Sequence, residues 1–92
     1  MPGVVRLGDM ATHDDYGPQY PLHGSPNVMV DNLPVITRNC PYSVHSNGDD
    51  SHAGVAVGEG TVYCNNEPVQ IVGSKVSCGS VMQEGSGSVS IG

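Results

Sequence analysis

Gly24-Ser25-Pro26-Asn27-Val28-Met29-Val30-Asp31-Asn32-Leu33-Pro34-Val35 recurs 34 residues later as Gly58-Glu59-Gly60-Thr61-Val62-Tyr63-Cys64-Asn65-Asn66-Glu67-Pro68-Val69. The signal inside each copy has period two. Val28 and Val30 share one face of a strand, Val62 and Cys64 do the same, and the intervening residues point the other way. Asp31-Asn32 and Asn65-Asn66 are dipeptides that tolerate the left-handed backbone of a tight hairpin turn, and the Pro two residues beyond suits a strand end or edge. Each copy therefore reads as a small β-hairpin.

A third, truncated copy, Gly85-Ser86-Gly87-Ser88-Val89-Ser90-Ile91-Gly92, follows 27 residues after the second and stops at the terminus. The opening Val5-Arg6-Leu7-Gly8-Asp9-Met10-Ala11-Thr12-His13 resembles Gln70-Ile71-Val72-Gly73-Ser74-Lys75-Val76-Ser77-Cys78. The chain thus has the pattern of three units in a ring, cut open within one of them. No window of a dozen residues carries a 3.6-residue apolar stripe, and Gly or Pro interrupts nearly every candidate, which argues against long helices. The expected class is all-β, one small domain over residues 1–92, with three hairpins in a threefold arrangement.

Composition limits what can hold such a chain together. Its 92 residues include 13 Gly and 7 Pro but no Phe and no Trp, so the aromatic side chains that usually carry core burial are missing. Three Lys+Arg against nine Asp+Glu give a net charge of −6, leaving no basic surface for a phosphate backbone or an anionic membrane. Nucleic acid is therefore not an expected partner. The longest apolar runs are two or three residues, too short to cross a bilayer, and the N-terminus shows no charged segment followed by an apolar one, so synthesis in a cytoplasm without a signal peptide is expected. Three Cys cannot all pair within one chain. Three Cys and four His in so few residues suggest instead that a metal acts as the staple.

The segments 12–23 and 39–52, rich in Asp, Asn, Ser, Gly, Pro and His, read as loops. His13 stands five residues after Gly8, and Cys78 five after Gly73, so the two hold the same position in two units. Cys78 is ten residues after Pro68 and His45 eleven after Pro34, so the third unit offers its own donor displaced by one. His52 completes the set, just before Ala53-Gly54-Val55-Ala56-Val57. Three imidazoles and a thiolate meeting on an axis make a closed tetrahedral Zn²⁺ site, and sulfur plus nitrogen without carboxylate favours Zn²⁺ over Mg²⁺, Ca²⁺ or Mn²⁺. The competing reading of each loop histidine is a solvated side chain, and that reading suits His23, which has no counterpart in the repeats. Cys40 and Cys64 read as small buried residues. Asp14, Asp15, Asp49 and Asp50 flank the donors closely enough to accept from imidazole N–H groups, or else are solvated loop charges. A full four-ligand shell leaves Zn²⁺ no position for a water to be activated, and no Gly-x-Ser-x-Gly elbow is present, so no catalytic residue is assigned.

Arg6-Leu7-Gly8-Asp9 followed by His13, then Gly24-Ser25-Pro26-Asn27-Val28, Pro34-Val35-Ile36-Thr37-Arg38, His45, His52, the second Gly-x-x-Thr-Val and Val76-Ser77-Cys78-Gly79-Ser80 resemble the PAAR-repeat family over essentially the whole chain. The likeness is to its stand-alone spike-tip proteins of contractile phage tails and type VI secretion systems. Where the name-giving Pro-Ala-Ala-Arg stands in the family, this chain carries Pro34-Val35-Ile36-Thr37-Arg38 and Pro68-Val69-Gln70-Ile71. The resemblance implies a sharp cone of β-hairpins about a threefold pseudo-axis, with an apical structural Zn²⁺ on His13, His45, His52 and Cys78. It also implies one copy per trimeric β-helical spike protein, transient passage through a target membrane, and possible effector cargo. The location implied is the tip of a virion tail baseplate spike or of a secretion spike. In this family enzymatic activity resides in extensions, and with none after Gly92 the expectation is a bare structural tip. The rival readings are a small zinc-dependent hydrolase or effector, and a disulfide-stabilised binding module, which the odd Cys count opposes.

Overall fold

The computed structural model describes residues 2–13, 16–46, 48 and 51–91. Its shortest-range features follow directly from the turn dipeptides. Asp31 and Asn32 have φ of 54° and 66°, and Asn65 and Asn66 have φ of 53° and 68°, the paired left-handed geometry of a two-residue hairpin turn. The first pair joins β3 (Met29–Val30) to β4 (Leu33–Pro34), and the second joins β7 (Tyr63–Cys64) to β8 (Glu67–Pro68). In both, the Pro lies opposite the first strand residue, with Met29 facing Pro34 and Tyr63 facing Pro68. The third hairpin has no turn of its own among the described residues. Gly3 bridges Ser90, and the Ile91 amide donates to the Pro2 carbonyl at 2.9 Å, so the two ends of the chain pair where the other copies are continuous.

Strands this short cannot satisfy their own backbone, and the remaining donors find acceptors in the neighbouring repeat. The Val5 amide donates to the Gln70 carbonyl at 2.9 Å, Gln70 to Ile36 at 2.8 Å, and Ile36 back to Val5 at 3.1 Å, which closes a ring of three. Two residues further on, Leu7 donates to Pro34, Arg38 to Pro68 and Val72 to Gly3, at 2.9 Å each. The bridges Arg6 with Val35, Thr37 with Val69 and Ile71 with Val4 repeat the same relation. Each ring strand then turns sharply, with Asp9 donating to Arg6, Cys40 to Thr37 and Ser74 to Ile71. The turn needs a positive φ at its third residue, and finds it in Gly8, Asn39 and Gly73. The threefold pseudo-axis is thus written in backbone hydrogen bonds, and Val5, Ile36 and Gln70 are equivalent positions on it.

Alternation along the ring strands divides the interior in two. Val5 and Ile36 pack with Ala11, Cys40, Tyr42, Ala56, Val76 and Met82, whereas Val4, Val35 and Val69 pack with Cys64. Without Phe or Trp, Tyr42 is the largest fully buried side chain, and its hydroxyl lies 3.0 Å from the Met82 sulfur. Gln70, wholly buried where its equivalents are apolar, accepts from the Gly58 amide through Oε1 and donates to the Lys75 carbonyl through Nε2. Beyond Val4, Val35 and Val69 the base of the molecule holds a depression of about 400 Å³ with no charged residue in its lining. Val28, Val62 and Val89, one from each copy, line it while remaining 38%, 50% and 41% exposed.

The all-β class stands, with no helix among the described residues. The segments expected to be loops differ from that expectation. They contain β1 (Ala11–His13), β2 (Tyr16–Gln19), β5 (His45–Ser46) and β6 (Ser51–His52). β1 also pairs with β9 (Val81–Met82), giving a three-stranded sheet in the order β2-β1-β9. These strands show no apolar alternation because their inward side chains are largely imidazole, phenol and amide. The molecule is elongate, with extents of 37 × 23 × 21 Å.

Candidate metal centre

Each repeat leaves the ring, makes its tight turn and then sends out one further excursion. In the first, β1 and β2 pair with His13 opposite Tyr16. In the second, β5 and β6 pair with His45 opposite His52. In the third the excursion shrinks to a turn in which Lys75 bridges Val81, the Val76 amide donates to Ser80 and the Gly79 amide donates to Val76. Cys78 sits in that turn. His13, His45 and Cys78 come to one place because each follows the ring by eight or nine residues.

Three imidazoles converge. His13, His45 and His52 each offer one ring nitrogen, and these atoms lie within 4.8 Å of one another. His45 is the most constrained: it is buried, and its Nδ1 lies 2.7 Å from the Gly17 carbonyl. A carbonyl only accepts, so Nδ1 carries the proton and the Nε2 lone pair of the neutral ring points into the cluster. That lone pair meets His52 Nε2 at 2.7 Å, so the two ring nitrogens face the same point. The Cys78 sulfur stands beside the group, 4.0 Å from His45 Nε2, 3.5 Å from Gln19 Oε1 and 3.6 Å from Ser80 Oγ. Gln19 is wholly buried and its amide nitrogen donates to the Ser43 carbonyl at 2.8 Å, which turns Oε1 toward the thiol. Gly79 is required here twice over. Its φ is +110°, and a Cβ on it would meet the His13 ring at 3.0 Å.

All four residues singled out from the repeats therefore lie at one end of the fold, His13, His45 and His52 in mutual reach and Cys78 at their edge. His23 is exposed and lies outside the group. Cys40 and Cys64 are buried, the first donating to the His23 carbonyl at 2.8 Å, the second 3.6 Å from Ser25 Oγ. Asp14, Asp15, Asp49 and Asp50 lie outside the described residues. Sequence reasoning missed Tyr16, whose ring centroid is 5.0, 4.9 and 4.3 Å from those of His13, His45 and His52. A signal was available. Tyr16 faces His13 across its hairpin as His52 faces His45, so it is the repeat counterpart of a proposed ligand.

The donor set suits a cation of borderline softness. Imidazole nitrogens supply the group, a thiol adjoins it, and no carboxylate of a described residue joins it. The outer N–H of His45 on a backbone carbonyl is the arrangement that fixes the tautomer of a ligating histidine. The residues thus fit a metal. No curated protein sequence matches the chain. The PAAR motif matches residues 20–84, a span that takes in the second and third ring turns, both central hairpins, His45, His52 and Cys78. On that match over most of its length, the chain belongs to the PAAR motif family.

Proposed function

We propose that the 92 residues form a single structural domain that caps a trimeric β-helical spike, one copy per trimer, as the piercing tip of a contractile phage tail or type VI secretion system. The observation that carries this reading is the closed exchange of hydrogen bonds among Val5, Ile36 and Gln70. One chain with threefold backbone symmetry can offer three similar strand edges to three identical partners, and pairing would cover edges that otherwise invite aggregation. The charge-free depression bounded by Val28, Val62 and Val89 supplies apolar area on that same symmetry. PAAR motif proteins are structural spike tips rather than enzymes, and this chain is read as one of them. It is made in a bacterial cytoplasm, reaches its site by assembly on the spike, and crosses a target membrane only when the machine fires.

The resident metal in this reading is Zn²⁺ on His13, His45, His52 and Cys78. When bound, it supplies a cross-link between turns distant in sequence, and binding free energy in such a site is largely folding free energy. The chain's own residues prepare the site. The Gly17 carbonyl holds the His45 proton on Nδ1, Gln19 orients the thiol, and Gly79 lets the His13 ring lie against the third turn. Elemental analysis of purified protein is expected to give one zinc per chain, with Cys78→Ser losing it to a chelator sooner than Cys64→Ser. Native mass spectrometry with the co-encoded spike is expected to give one copy per trimer. Three copies per trimer, or no association, would refute the cap. Hydrolysis of peptide, ester, phosphodiester or peptidoglycan substrates that vanishes in a folded His52→Ala variant would establish the hydrolase instead.

A further inference from the structure

We infer that Tyr16 is a positioning residue of the metal centre, its ring stacked on His13 and His45 and tilted against His52 so that the three donor nitrogens stay aimed at one point; the inference rests on the reading of that cluster as a metal site. Its ring is nearly parallel to that of His13, at 16°, and inclined by 30° and 34° to His45 and His52. Contacts among the imidazoles themselves are looser for His13, whose centroid is 6.2 Å from His45 and 5.4 Å from His52. His13 also arrives on a different hairpin from the other two, with a shifted register between Ala11 and His13. Tyr16 lies closer to His13, His45 and His52 than His13 lies to either of the other two imidazoles, and so bridges the His13 ring to the His45–His52 pair. Its neighbour Gly17 contributes the carbonyl that fixes the His45 tautomer, so one short strand orients the cluster by stacking and by hydrogen bonding together.

Electrostatics makes this more than packing. An imidazole that ligates a dication becomes electron-poor, and its stacking on the electron-rich face of a phenol ring strengthens accordingly, as it does for other cationic groups. Tyr16 therefore favours the loaded state over the empty one. A saturated side chain of similar size fills the space without that preference.

The test compares wild-type protein with Tyr16→Phe, Tyr16→Leu and Tyr16→Ala. It uses Zn²⁺ affinity from chelator competition and the visible d–d spectrum of the Co²⁺-substituted protein. Expected are near wild-type affinity and an unchanged Co²⁺ spectrum for Phe, with affinity about tenfold to a hundredfold weaker and altered bands for both Leu and Ala. Leu binding as tightly as wild type would reduce Tyr16 to a space filler and overturn the inference. Phe as weak as Leu would assign the effect to the hydroxyl and overturn it equally. Because the Co²⁺ bands are read at saturating metal, where every chain able to bind is folded around it, an altered band shape separates lost positioning from lost stability. Wild-type protein that takes up neither ion refutes the metal centre itself, an outcome distinct from any difference among the variants.

Discussion

Two of the three seams between repeats are closed by the same backbone and by different chemistry. In one, Asp31 at the first turn position of the β3–β4 hairpin accepts from Ser86 Oγ and Ser88 Oγ at 2.6 Å each and from Arg6 Nη1 at 2.7 Å. In the other, Asn65 at the same place in the β7–β8 hairpin donates to Ser25 Oγ at 3.1 Å and Asn27 Oδ1 at 3.0 Å. Ser86 and Ser88 precede Val89 by the offsets at which Ser25 and Asn27 precede Val28, so the clasp is one design used twice. What differs lies underneath. Arg6 also holds Asp9 through two further hydrogen bonds, whereas its equivalent Thr37 is short and its neighbours Cys40 and Asn65 are uncharged. A cleft of about 300 Å³ opens there, bounded by Thr37, Cys40, Cys64 and Asn65, with Arg38 and Glu67 also in its wall. The ring of backbone hydrogen bonds sets where each turn lands, and the side chains then close each seam independently.

The largest effect is expected where both seams share a support. Ile36→Ala removes a wholly buried side chain from the ring itself and should cost about 2–5 kcal/mol. For a domain of this size that is much of the total stability, and denaturant unfolding should show it. A loss below about 1 kcal/mol would mean the seams hold the repeats without the ring.

A smaller effect should come from rebuilding the ionic seam in the neutral one. Thr37→Arg alone adds a cation to a cleft that Arg38 and Glu67 already line, without the two aspartates that flank Arg6 in the other seam. Combined with Cys40→Asp and Asn65→Asp it recreates the Arg6, Asp9 and Asp31 set. A mutant cycle should return a favourable coupling of about 1 kcal/mol, and none would show that the two backbones are less alike than their hydrogen bonds indicate.

The smallest difference is one of pH. Hydrogen bonds from Ser86 and Ser88, with Arg6 behind them, hold the Asp31 carboxyl below its ordinary value. A depressed carboxyl stabilises the fold above its unfolded value, about pH 4, and that contribution is lost as pH falls through the folded value. Wild type should therefore exceed Asp31→Asn in melting temperature at neutral pH and converge with it in acid. Asn65→Gly, which keeps the left-handed turn, should lower stability by about 0.5–1 kcal/mol with no such convergence.

Much of this arrangement was legible in the sequence. The equivalence of Val28, Val62 and Val89, the turn dipeptides, and the matching positions of His13 and Cys78 all follow from local spacing. The apical hairpins were not legible, because Tyr16, His45 and His52 face one another rather than an apolar layer and leave no period-two trace. Neither was the Asp31 clasp, since its partners stand 55 and 57 residues away. Spacing found what repeats, while the residues that differ between repeats had to be seen in place.

The pairing of Gly3 with Ser90 and of Pro2 with Ile91 has a consequence for topology. By position, Ile91 matches Val30 and Pro2 matches Leu33, so the two stand side by side as the strand ends flanking the turns at Asp31-Asn32 and Asn65-Asn66 do. A short turn joining Ile91 to Pro2 would close the ring. The same fold should be reachable from a permuted gene whose product begins at Asn32 or Asn66, which makes the choice of starting point a free variable in engineering this scaffold.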